Sequence, residues 1–521
     1  MDGTVALARD EIARLAQHGL VFSYWADRNP SARAIISDEG NRTFAQLDAN
    51  ANRVCRALMA DGLQPGDAVA LISRNRPEFI ETWMACLRGG FRLTPINWHL
   101  TSAEAAYIVE DCEAKICVLE QAFLPVLDHL PSSGRPKMLV IGADQPERDY
   151  RRLIEEQSGS RMPKPVLGRT MLYTSGTTGK PKGVLKDRPF VPMPMRDGTM
   201  FDFRDGDITL LCGPAYHGGP LVFDIAFPLA SGAGVSIMQK FDAEEALRRI
   251  ETDRVTHCHM VATMFQRLLA LPRKIRESYD LSSLRRVIHG AAPTPPDVKR
   301  QMIEWLGPIL VEYYAATEAN ANITISSEEW LRKPGSVGRI AEGSGVLILD
   351  EGGVECPPLV PGQIHFPNIA GASTRYYKAS EKNAEVFSGS HFTVGDVGYV
   401  DQDGYLFLTG RSAELIISGG VNIYPQEIDD AILSHPAVRE SCTVGIPNAE
   451  WGEEVRAVVS LNEGYEPGDE TTRLLIAHLD DKLARFKLPR AIDYVDSIPF
   501  SEAGKALRRT VRARYWPRTA A

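Results

Sequence analysis

The sequence has no long apolar run of the kind that crosses a membrane. Its charge-free stretches, such as residues 225–238 with Pro228 inside, fall short of the ~18 apolar residues that a spanning helix requires. Residues 1–15 are broken by charges, including Asp2, Arg9 and Asp10, where a signal peptide needs an uninterrupted apolar segment. These absences predict a cytoplasmic protein without a membrane span.

Cysteine is scarce, and a basic excess is missing. The eight cysteines are scattered, and only Cys112 and Cys117 lie near each other, at a spacing that matches neither zinc nor redox motifs. We therefore expect reduced thiols in the core. The 58 Lys and Arg residues against 67 Asp and Glu residues give a net charge of −9. That sign argues against nucleic acid as the main partner.

The length of 521 residues predicts two to four domains, at roughly 150 residues per domain. The apolar share of 44% and the charged share of 24% are typical of globular proteins. From about residue 43 to about residue 325, helical and strand patterns alternate, as in the helical pattern at 44–62 and the strand pattern at 67–73. Alternation of this kind predicts an α/β fold whose parallel sheets carry helices on both faces.

The pattern changes twice towards the C-terminus. Residues 337–408 read as short alternating strands with many Gly and Pro turns, which predicts a β-rich subdomain. After Arg411 come two helical patterns, at 427–436 and 472–486, and three strand patterns. We predict an N-terminal domain of residues 1–411, with two doubly wound α/β subdomains and the β-rich one, and a small α+β C-terminal domain of residues 412–521.

Residues 173–183, YTSGTTGKPKG, have the composition of a phosphate-binding loop. Glycines let the backbone approach a ligand closely, hydroxyl groups donate hydrogen bonds, and lysines add positive charge. The Walker loop is excluded, because only two residues separate Gly176 from Gly179 and Pro181 follows Lys180. Taken alone, the segment also fits a flexible surface loop. The residues predicted to bind phosphate are Thr174, Ser175, Gly176, Thr177, Thr178, Gly179, Lys180 and Lys182.

This segment resembles the phosphate-binding signature of the adenylate-forming superfamily, which contains acyl-CoA synthetases, adenylation domains of peptide synthetases, and luciferases. Five further segments resemble its motifs in the same order, and the likeness extends from about residue 20 to about residue 515. They are GAAP at 290–293, YYAATEA at 313–319, the pair Gly395-Asp396 with Arg411, and the C-terminal pairs Gly419-Gly420 and Gly504-Lys505.

The resemblance implies a role for each motif. Lys505 would be the catalytic lysine, Thr317 would meet the α-phosphate, Glu318 would hold Mg²⁺, and Asp396 would bind the ribose with support from Arg411. The adenine would lie against Gly290, Ala291, Ala292 and Pro293 and against the strand end formed by Tyr313, Tyr314 and Ala315. The C-terminal domain would be mobile about a hinge at Ala413, with Gly419 and Gly420 lining a tunnel for the pantetheine of coenzyme A.

Three assignments have alternatives from the residues alone. His217 aligns with a position beside the reacting carboxylate, but a lone histidine is as readily a hydrogen-bonded core residue. Lys505 lies in a basic tail, where a charged residue is usually solvated, although its motif favours catalysis. His257 and His259 flank Cys258 without further metal ligands, which favours a strand over a metal site.

The implied activity is that of an ATP-dependent carboxylic acid:CoA ligase with Mg²⁺, ATP and coenzyme A as partners. Residues 216–219, 261–265 and 315–322 are mostly small, aromatic or apolar, so the predicted acid is hydrophobic: fatty, aromatic or terpenoid-like. Whether the chain forms a homodimer is left open.

Several positions depart from the family pattern. Ala413 replaces the usual Asp or Lys of the hinge, Val394 replaces a usual threonine, and Phe500-Ser501 with Glu502 replace the residues usual before Gly504. Pairing of Glu502 with Lys505 would blunt the lysine's charge. The alternative hypotheses are therefore a ligase with impaired adenylation that mainly converts a supplied acyl-adenylate to the CoA thioester, or a stand-alone adenylating enzyme for another acceptor.

Overall fold

The computed structural model describes most of the chain. The described residues are 3–133, 135–144, 148–174, 181–195, 199–319, 323–368, 373–387, 389–418, 421–448, 450–480, 482–501 and 504–516. Within these ranges, no helix is long and apolar enough to cross a membrane.

The chain divides into two compact units. Unit 1 consists of residues 1–260, 270–288 and 368–388, and unit 2 consists of residues 261–269, 289–367 and 389–521. The division into domains 1–411 and 412–521 stays a prediction.

The described residues form helices along the whole chain. Those of the first half are α1 Gly3–Ala16, α2 Ser23–Arg28, α3 Phe44–Ala60, α4 Pro77–Gly89, α5 Ser102–Asp111, α6 Tyr150–Glu155, α7 Gly218–Pro220, α8 Phe227–Ser231 and α9 Ala243–Asp253. Those of the second half are α10 Ala262–Ala270, α11 Arg273–Arg276, α12 Pro296–Leu306, α13 Ser327–Arg332, α14 Ser380–Phe387, α15 Pro425–Leu433, α16 Asp469–Asp480 and α17 Arg508–Arg512. A π-helical segment, Leu221–Ala226, and 3₁₀ turns at Gln121–His129, Ser412–Glu414 and Arg485–Lys487 complete the set.

Strands alternate with these helices. Those before residue 300 are β1 Arg33–Ile36, β2 Arg42–Thr43, β3 Ala68–Ile72, β4 Arg92–Pro95, β5 Ala114–Glu120, β6 Lys137–Ile141, β7 Arg169–Thr170, β8 Leu172–Thr174, β9 Lys182–Lys186, β10 Ile208–Leu211, β11 Gly234–Ile237, β12 His257–Met260 and β13 Arg286–Gly290. The others are β14 Leu310–Tyr314, β15 Ile323–Ser326, β16 Ser336–Arg339, β17 Leu347–Leu349, β18 Gly362–Pro367, β19 Thr374–Tyr376, β20 His391–Val400, β21 Tyr405–Arg411, β22 Ile416–Ser418, β23 Val421–Ile423, β24 Val438–Asn448, β25 Gly452–Leu461 and β26 Ala491–Tyr494.

Unit 1 contains a parallel sheet with the strand order β6-β5-β3-β4-β7. Every residue of β3 is buried, as expected for a central parallel strand that is covered on both faces. Local sequence fixes the neighbouring helices. Thr43 and Gln46 form a capping box at the start of α3, and Gly90 ends α4 in the left-handed conformation.

Unit 1 also contains neighbouring strands in the order β12-β10-β11-β1-β2, which are parallel except for β2. A third, antiparallel sheet joins β8, β9 and β19. The parallel pairing confirms the predicted α/β class.

Unit 2 contains an antiparallel sheet with the order β16-β21-β20-β18-β17, which agrees with the predicted β-rich segment. Its last part forms a second sheet with the order β23-β22-β25-β24, and β26 pairs in parallel with β25. Buried side chains of α15 and α16, such as Ile428, Ile432 and Leu475, pack with those of this sheet.

The segment predicted to be β-rich also contains the helix α14, whose described residues include none that is buried, so no apolar periodicity marks it. One detail of the sequence prediction is wrong. The helix predicted at 472–486 instead spans Asp469–Asp480, beginning with Asp469 and Glu470 in its first turn. Acidic residues favour a helix N-terminus through the helix dipole. The eight cysteines, all at described positions, are buried and unpaired, as predicted.

Candidate active site

The ends of the predicted phosphate-binding loop are held together in unit 1. Thr174 ends β8 and Lys182 begins β9, and the two residues are direct antiparallel partners. The Lys182 ammonium lies 5.4 Å from the centre of the Tyr376 ring on the neighbouring strand β19. A cation is thus fixed at the base of the loop, whereas Ser175, Gly176, Thr177, Thr178, Gly179 and Lys180 lie outside the described residues.

His217 immediately precedes the short helix α7, where the chain turns into the π-helical segment Leu221–Ala226. It is half-buried, and its ring lies 4.6 Å from that of the buried Tyr216. π-helical turns are uncommon and often occur at functional sites. The histidine is therefore partly accessible in a locally unusual backbone, and its part in catalysis stays a prediction.

The predicted strand around Cys258 is confirmed as β12. Burial lowers the pKa of His257 to about 4 and that of His259 to about 3, so both imidazoles are neutral near pH 7. His257 Nε2 is 2.8 Å from the carbonyl oxygen of Phe201, and the His259 ring stacks on Phe223 at 5.6 Å. These contacts are those of core histidines.

The two segments predicted to hold adenine meet in unit 2. A Cβ atom at Gly290 would lie 2.4 Å from the carbonyl oxygen of Tyr313, so only glycine allows this approach of the two segments. The next residue, Ala291, has φ +64°, which is costly for a residue with a side chain and needs support from its surroundings. Tyr313 and Tyr314 are both buried. We call residues 290–293 with Tyr313 and Tyr314 the adenine shelf.

Asp396 connects the shelf to Arg411. Its Oδ2 accepts a hydrogen bond of 2.8 Å from the Tyr314 hydroxyl, and its Oδ1 accepts one of 2.9 Å from Arg411 Nε. The contact between Asp396 and Arg411 follows from the register of the two strands, because these residues are direct partners on β20 and β21. Burial, and then the Asp396 carboxylate, raise the pKa of the Tyr314 phenol, which therefore stays a donor. Each carboxylate oxygen retains a lone pair for a further donor.

Thr317 and Glu318 follow the end of β14. Glu318 is buried, Thr317 is half-buried and Ala315 is exposed. A turn closes around them, in which the amide of Ala319 donates a 3.0 Å hydrogen bond to the carbonyl of Ala316. A carboxylate is thus enclosed directly beyond the shelf.

Lys505 lies on a tight hairpin. Phe500 and Ala506 form an isolated antiparallel bridge, the Ser501 amide donates to the Lys505 carbonyl at 2.7 Å, and the Lys505 amide donates to Ser501 Oγ at 3.1 Å. Gly504 turns the chain with φ +71°, and a Cβ atom there would lie 2.8 Å from Val261 Cγ2. The lysine is therefore held by a defined backbone, although Glu502 lies outside the described residues.

The structure brings Lys505 close to residues from two other motifs. Surrounding protein and the charge of Arg411 lower the pKa of Lys505, and these effects exceed the opposing influence of the carboxylates of Asp396, Glu318 and Glu414. The side chain keeps solvent access, so it lies at the protein surface near these charged groups. Three separately predicted residues thus share an electrostatic environment with the predicted catalytic lysine.

The remaining predicted residues lie in the last part of the chain. Ser418 and Val421 pair directly on β22 and β23, with Gly419 and Gly420 between them and outside the described residues. Ala413 is exposed in the 3₁₀ turn Ser412–Glu414. The predicted acyl-pocket segments fall in both units, and Asn322 lies outside the described residues, so this pocket stays a prediction.

Sequence reasoning missed the buried Arg508, which lies three residues after Lys505 and bonds to several polar groups. We call Arg508 and these partners the buried hub. Although Arg508 lies in the basic tail of the sequence, it is buried; its Nη1 donates to Asp429 Oδ2 at 2.7 Å and to the Thr443 carbonyl at 2.6 Å. Its Nε donates to Glu414 at 3.0 Å. An indication was present in the sequence: Arg508 is three residues from Lys505, so both residues belong to one turn-and-helix segment.

Comparison with known proteins identifies related sequences along nearly the whole chain. A sequence model described as AMP-binding enzyme matches residues 22–377, and one described as AMP-binding enzyme C-terminal domain matches residues 427–505.

Two curated relatives and one solved structure illustrate the similarity. The chain is 31% identical over 506 residues to the fatty acid–[acyl-carrier-protein] ligase ScoC of Streptomyces coeruleorubidus, with 95% of each chain covered. It is 32% identical over 508 residues to the indoleacetate–CoA ligase of Aromatoleum aromaticum, covering 94% of this chain and 97% of that one. The ATP-bound structure of MatB from Rhodopseudomonas palustris superposes with a TM-score of 0.82 at 28% identity, covering 96% and 99% of the two chains.

Proposed function

The chain belongs to the AMP-binding enzyme family of adenylate-forming enzymes, and from this we propose that it is an ATP-dependent carboxylic acid:CoA ligase. One observation carries the proposal: Lys505 lies within electrostatic range of Glu318 and of the bonded pair Asp396 and Arg411. These residues come from three motifs, separated along the chain, whose combined chemistry suits the activation of a carboxylate by ATP.

In the first step, a carboxylate oxygen of the acid attacks the α-phosphorus of ATP, and pyrophosphate leaves as the acyl-adenylate forms. Negative charge accumulates between two anions, so a fixed cation at that point stabilises the transition state. We assign this role to the Lys505 ammonium and assign contact with the α-phosphate to Thr317.

Glu318 fits a Mg²⁺ ligand, because its carboxylate is enclosed at the end of the shelf and hard cations prefer carboxylate oxygens. The described residues contain no cluster of three or more His, Cys, Asp or Glu side chains suited to a metal, so nucleotide phosphates and water would complete the coordination. When bound there, Mg²⁺ supplies positive charge to the polyphosphate.

The nucleoside would be oriented by the shelf and by Asp396. We assign the adenine contact to Gly290, Ala291 and Tyr313, where two backbones approach closely enough to form a flat surface. We assign the ribose hydroxyls to Asp396, because Tyr314 and Arg411 hold both of its oxygens in place. Orientation of this kind lowers the entropic part of the barrier.

In the second step, the CoA thiol attacks the acyl carbonyl, the thioester forms and AMP leaves. We assign Gly419 and Gly420 to the passage of the pantetheine arm, since a narrow passage requires backbone without side chains. Rotation about Ala413 would exchange Lys505 for this pair between the two steps.

We propose a hydrophobic acid as substrate, on the basis of the mostly small, aromatic and apolar residues at 216–219 and 261–265. The relatives named as fatty-acid and indoleacetate ligases support an acid of this class. The similarity to ScoC also favours a second candidate acceptor, the phosphopantetheine thiol of a carrier protein. Impaired adenylation stays the alternative hypothesis, because Glu502, on which it partly rests, lies outside the described residues.

The test is a panel of fatty, aromatic and terpenoid acids incubated with ATP, Mg²⁺ and either CoA or a phosphopantetheinylated carrier protein. We expect AMP, pyrophosphate and the CoA thioester in equal amounts with at least one acid. Thioester on the carrier alone would establish the second acceptor, and acyl-adenylate without either thioester would indicate another acceptor. Release of ADP, or no nucleotide turnover with any acid, would contradict the proposal.

A further inference from the structure

A buried ion pair lies behind the adenine shelf in unit 2. Lys299 on α12 and Glu312 on β14 are both buried, and Lys299 Nζ donates to Glu312 Oε2 at 2.5 Å. The ammonium also lies 4.8 Å from the centre of the buried Trp330 ring. Lysine is almost never fully buried without a partner, and here a carboxylate and an aromatic face enclose it.

The Glu312 carboxylate contacts the residues from which both halves of the shelf begin. Glu312 itself immediately precedes Tyr313 on β14. Its Oε2 also lies 4.0 Å from Nε2 of His289, which immediately precedes Gly290 at the end of β13. One carboxylate thus lies beside residues that directly precede each of the two backbones meeting at the Gly290–Tyr313 contact.

His289 is fixed on its other sides. It is fully buried, its Nδ1 is 3.3 Å from the Thr294 hydroxyl, and its ring lies 5.2 Å from that of Phe265. The left-handed Ala291 lies between His289 and Thr294. A strained residue in a short loop keeps its conformation only when its neighbours hold it there. Here the residues that flank the loop, His289 and Thr294, contact each other through their side chains.

The energetics of such a pair argue against stability as its main contribution. Burying two charges costs desolvation, and a well-packed apolar pair of similar volume is often equally or more stable. Burial accordingly lowers the pKa of Lys299 and raises that of Glu312, although each partner opposes the shift of the other. What an apolar pair cannot supply is a directional contact that fixes β14 against α12 and keeps the carboxylate packed beside His289.

We infer that Lys299 and Glu312 are positioning residues for the nucleotide base: their buried contact holds His289 and Tyr313 so that the two halves of the adenine shelf keep a fixed separation. This inference rests on the proposed function, because it takes the shelf as the site of adenine. Neither residue touches the nucleotide.

The test is the double substitution Lys299→Met with Glu312→Leu, which removes both charges and leaves neither buried alone. We expect a thermal unfolding midpoint close to that of the wild type, together with at least a tenfold rise in KM for ATP and an unchanged KM for CoA. We also expect weaker binding of AMP by calorimetry, and a smaller preference for ATP over GTP, since a shelf of variable width discriminates bases less well. A merely structural role would not change base preference.

The matched control is Arg300→Gln with Asp297→Asn, which removes an exposed ion pair of 2.8 Å from the same helix. It should leave all these values unchanged. Glu312→Gln provides a second variant: it retains size and shape but leaves the Lys299 ammonium without a buried counter-charge, so we expect a lower unfolding midpoint together with a rise in KM for ATP. Wild-type KM and base preference in either folded variant would overturn the inference.

Failure of the inference is distinguishable from failure of the proposed function. A wild-type protein that neither binds AMP nor consumes ATP with any acid would refute both. A wild-type ligase whose Lys299→Met, Glu312→Leu variant keeps normal ATP kinetics would refute only the positioning role.

Discussion

Substitution of Gly290 by alanine tests the geometry of the adenine shelf. The added Cβ would lie 2.4 Å from the Tyr313 carbonyl oxygen, whereas real Cβ contacts are essentially never shorter than 3.0 Å. The two backbones must therefore separate by at least about 0.6 Å, and the second nearest contacts, with the Tyr313 ring at 2.8 Å, restrict the directions in which they can move. The shelf would widen where we place the base.

The expected loss follows from the size of that shift. A displacement of about 1 Å near a reacting centre can reduce a rate by ~10²-fold, so we expect a fall of roughly 10- to 100-fold in kcat/KM for ATP, or about 1.4–2.7 kcal/mol. Overpacking of this kind costs about 1–3 kcal/mol in folding stability. The fall should appear mainly in KM for ATP, while KM for CoA stays unchanged.

The assay is pyrophosphate exchange at varied ATP, followed by calorimetric binding of AMP. The matched control is Gly468→Ala, because a Cβ atom at Gly468 meets no heavy atom within 4 Å. A folded Gly290→Ala variant with wild-type KM for ATP and wild-type AMP affinity would refute the assignment of the shelf.

Three further outcomes are expected. The pKa of Lys505 is lowered, so its ammonium loses a proton at a pH below the ordinary lysine pKa of about 10.4. As the pH rises, the pyrophosphate-exchange rate should therefore begin to fall before about pH 10.4 is reached. An exchange rate that stays constant up to about pH 10.4 would contradict this prediction. Gly420→Trp should slow thioester formation from synthetic acyl-adenylate and spare pyrophosphate exchange, and normal CoA turnover would count against the tunnel assignment. Asp429→Ala leaves the Arg508 guanidinium buried without its 2.7 Å partner, which lowers the free energy of unfolding by about 3–5 kcal/mol. The midpoint of urea unfolding should therefore fall by about 1 M or more. An unchanged midpoint would contradict a stabilising role of the buried hub.

The regular elements were predictable because their burial imposes periodicity. The strand pattern at 67–73 contains β3, Ala68–Ile72, and the helical pattern at 44–62 corresponds to α3, Phe44–Ala60. The helix α14 escaped prediction because it lies on the surface and carries no apolar stripe. Local propensity without burial is a weak signal.

Contacts between residues that are distant in sequence are the part of the site that could not be predicted. Each motif was recognisable by itself, but the sequence did not indicate that Tyr314 donates to Asp396, 82 positions away. Lys299 and Glu312 lie 13 positions apart, and only folding brings the two side chains together. Arg508 was similarly hidden in a basic tail, because charge counting does not distinguish a solvated guanidinium from a buried one.

The most direct test of the central claim separates the two half-reactions in Lys505→Ala, with the exposed tail variant Arg514→Ala as its control. With the cognate acid, we predict that Lys505→Ala loses pyrophosphate exchange by at least ~10²-fold, as expected for a group that stabilises developing charge. Thioester formation from synthetic acyl-adenylate and CoA should stay close to the wild-type rate, and Arg514→Ala should behave as wild type in both. Equal loss of both half-reactions, or normal exchange without Lys505, would contradict the account.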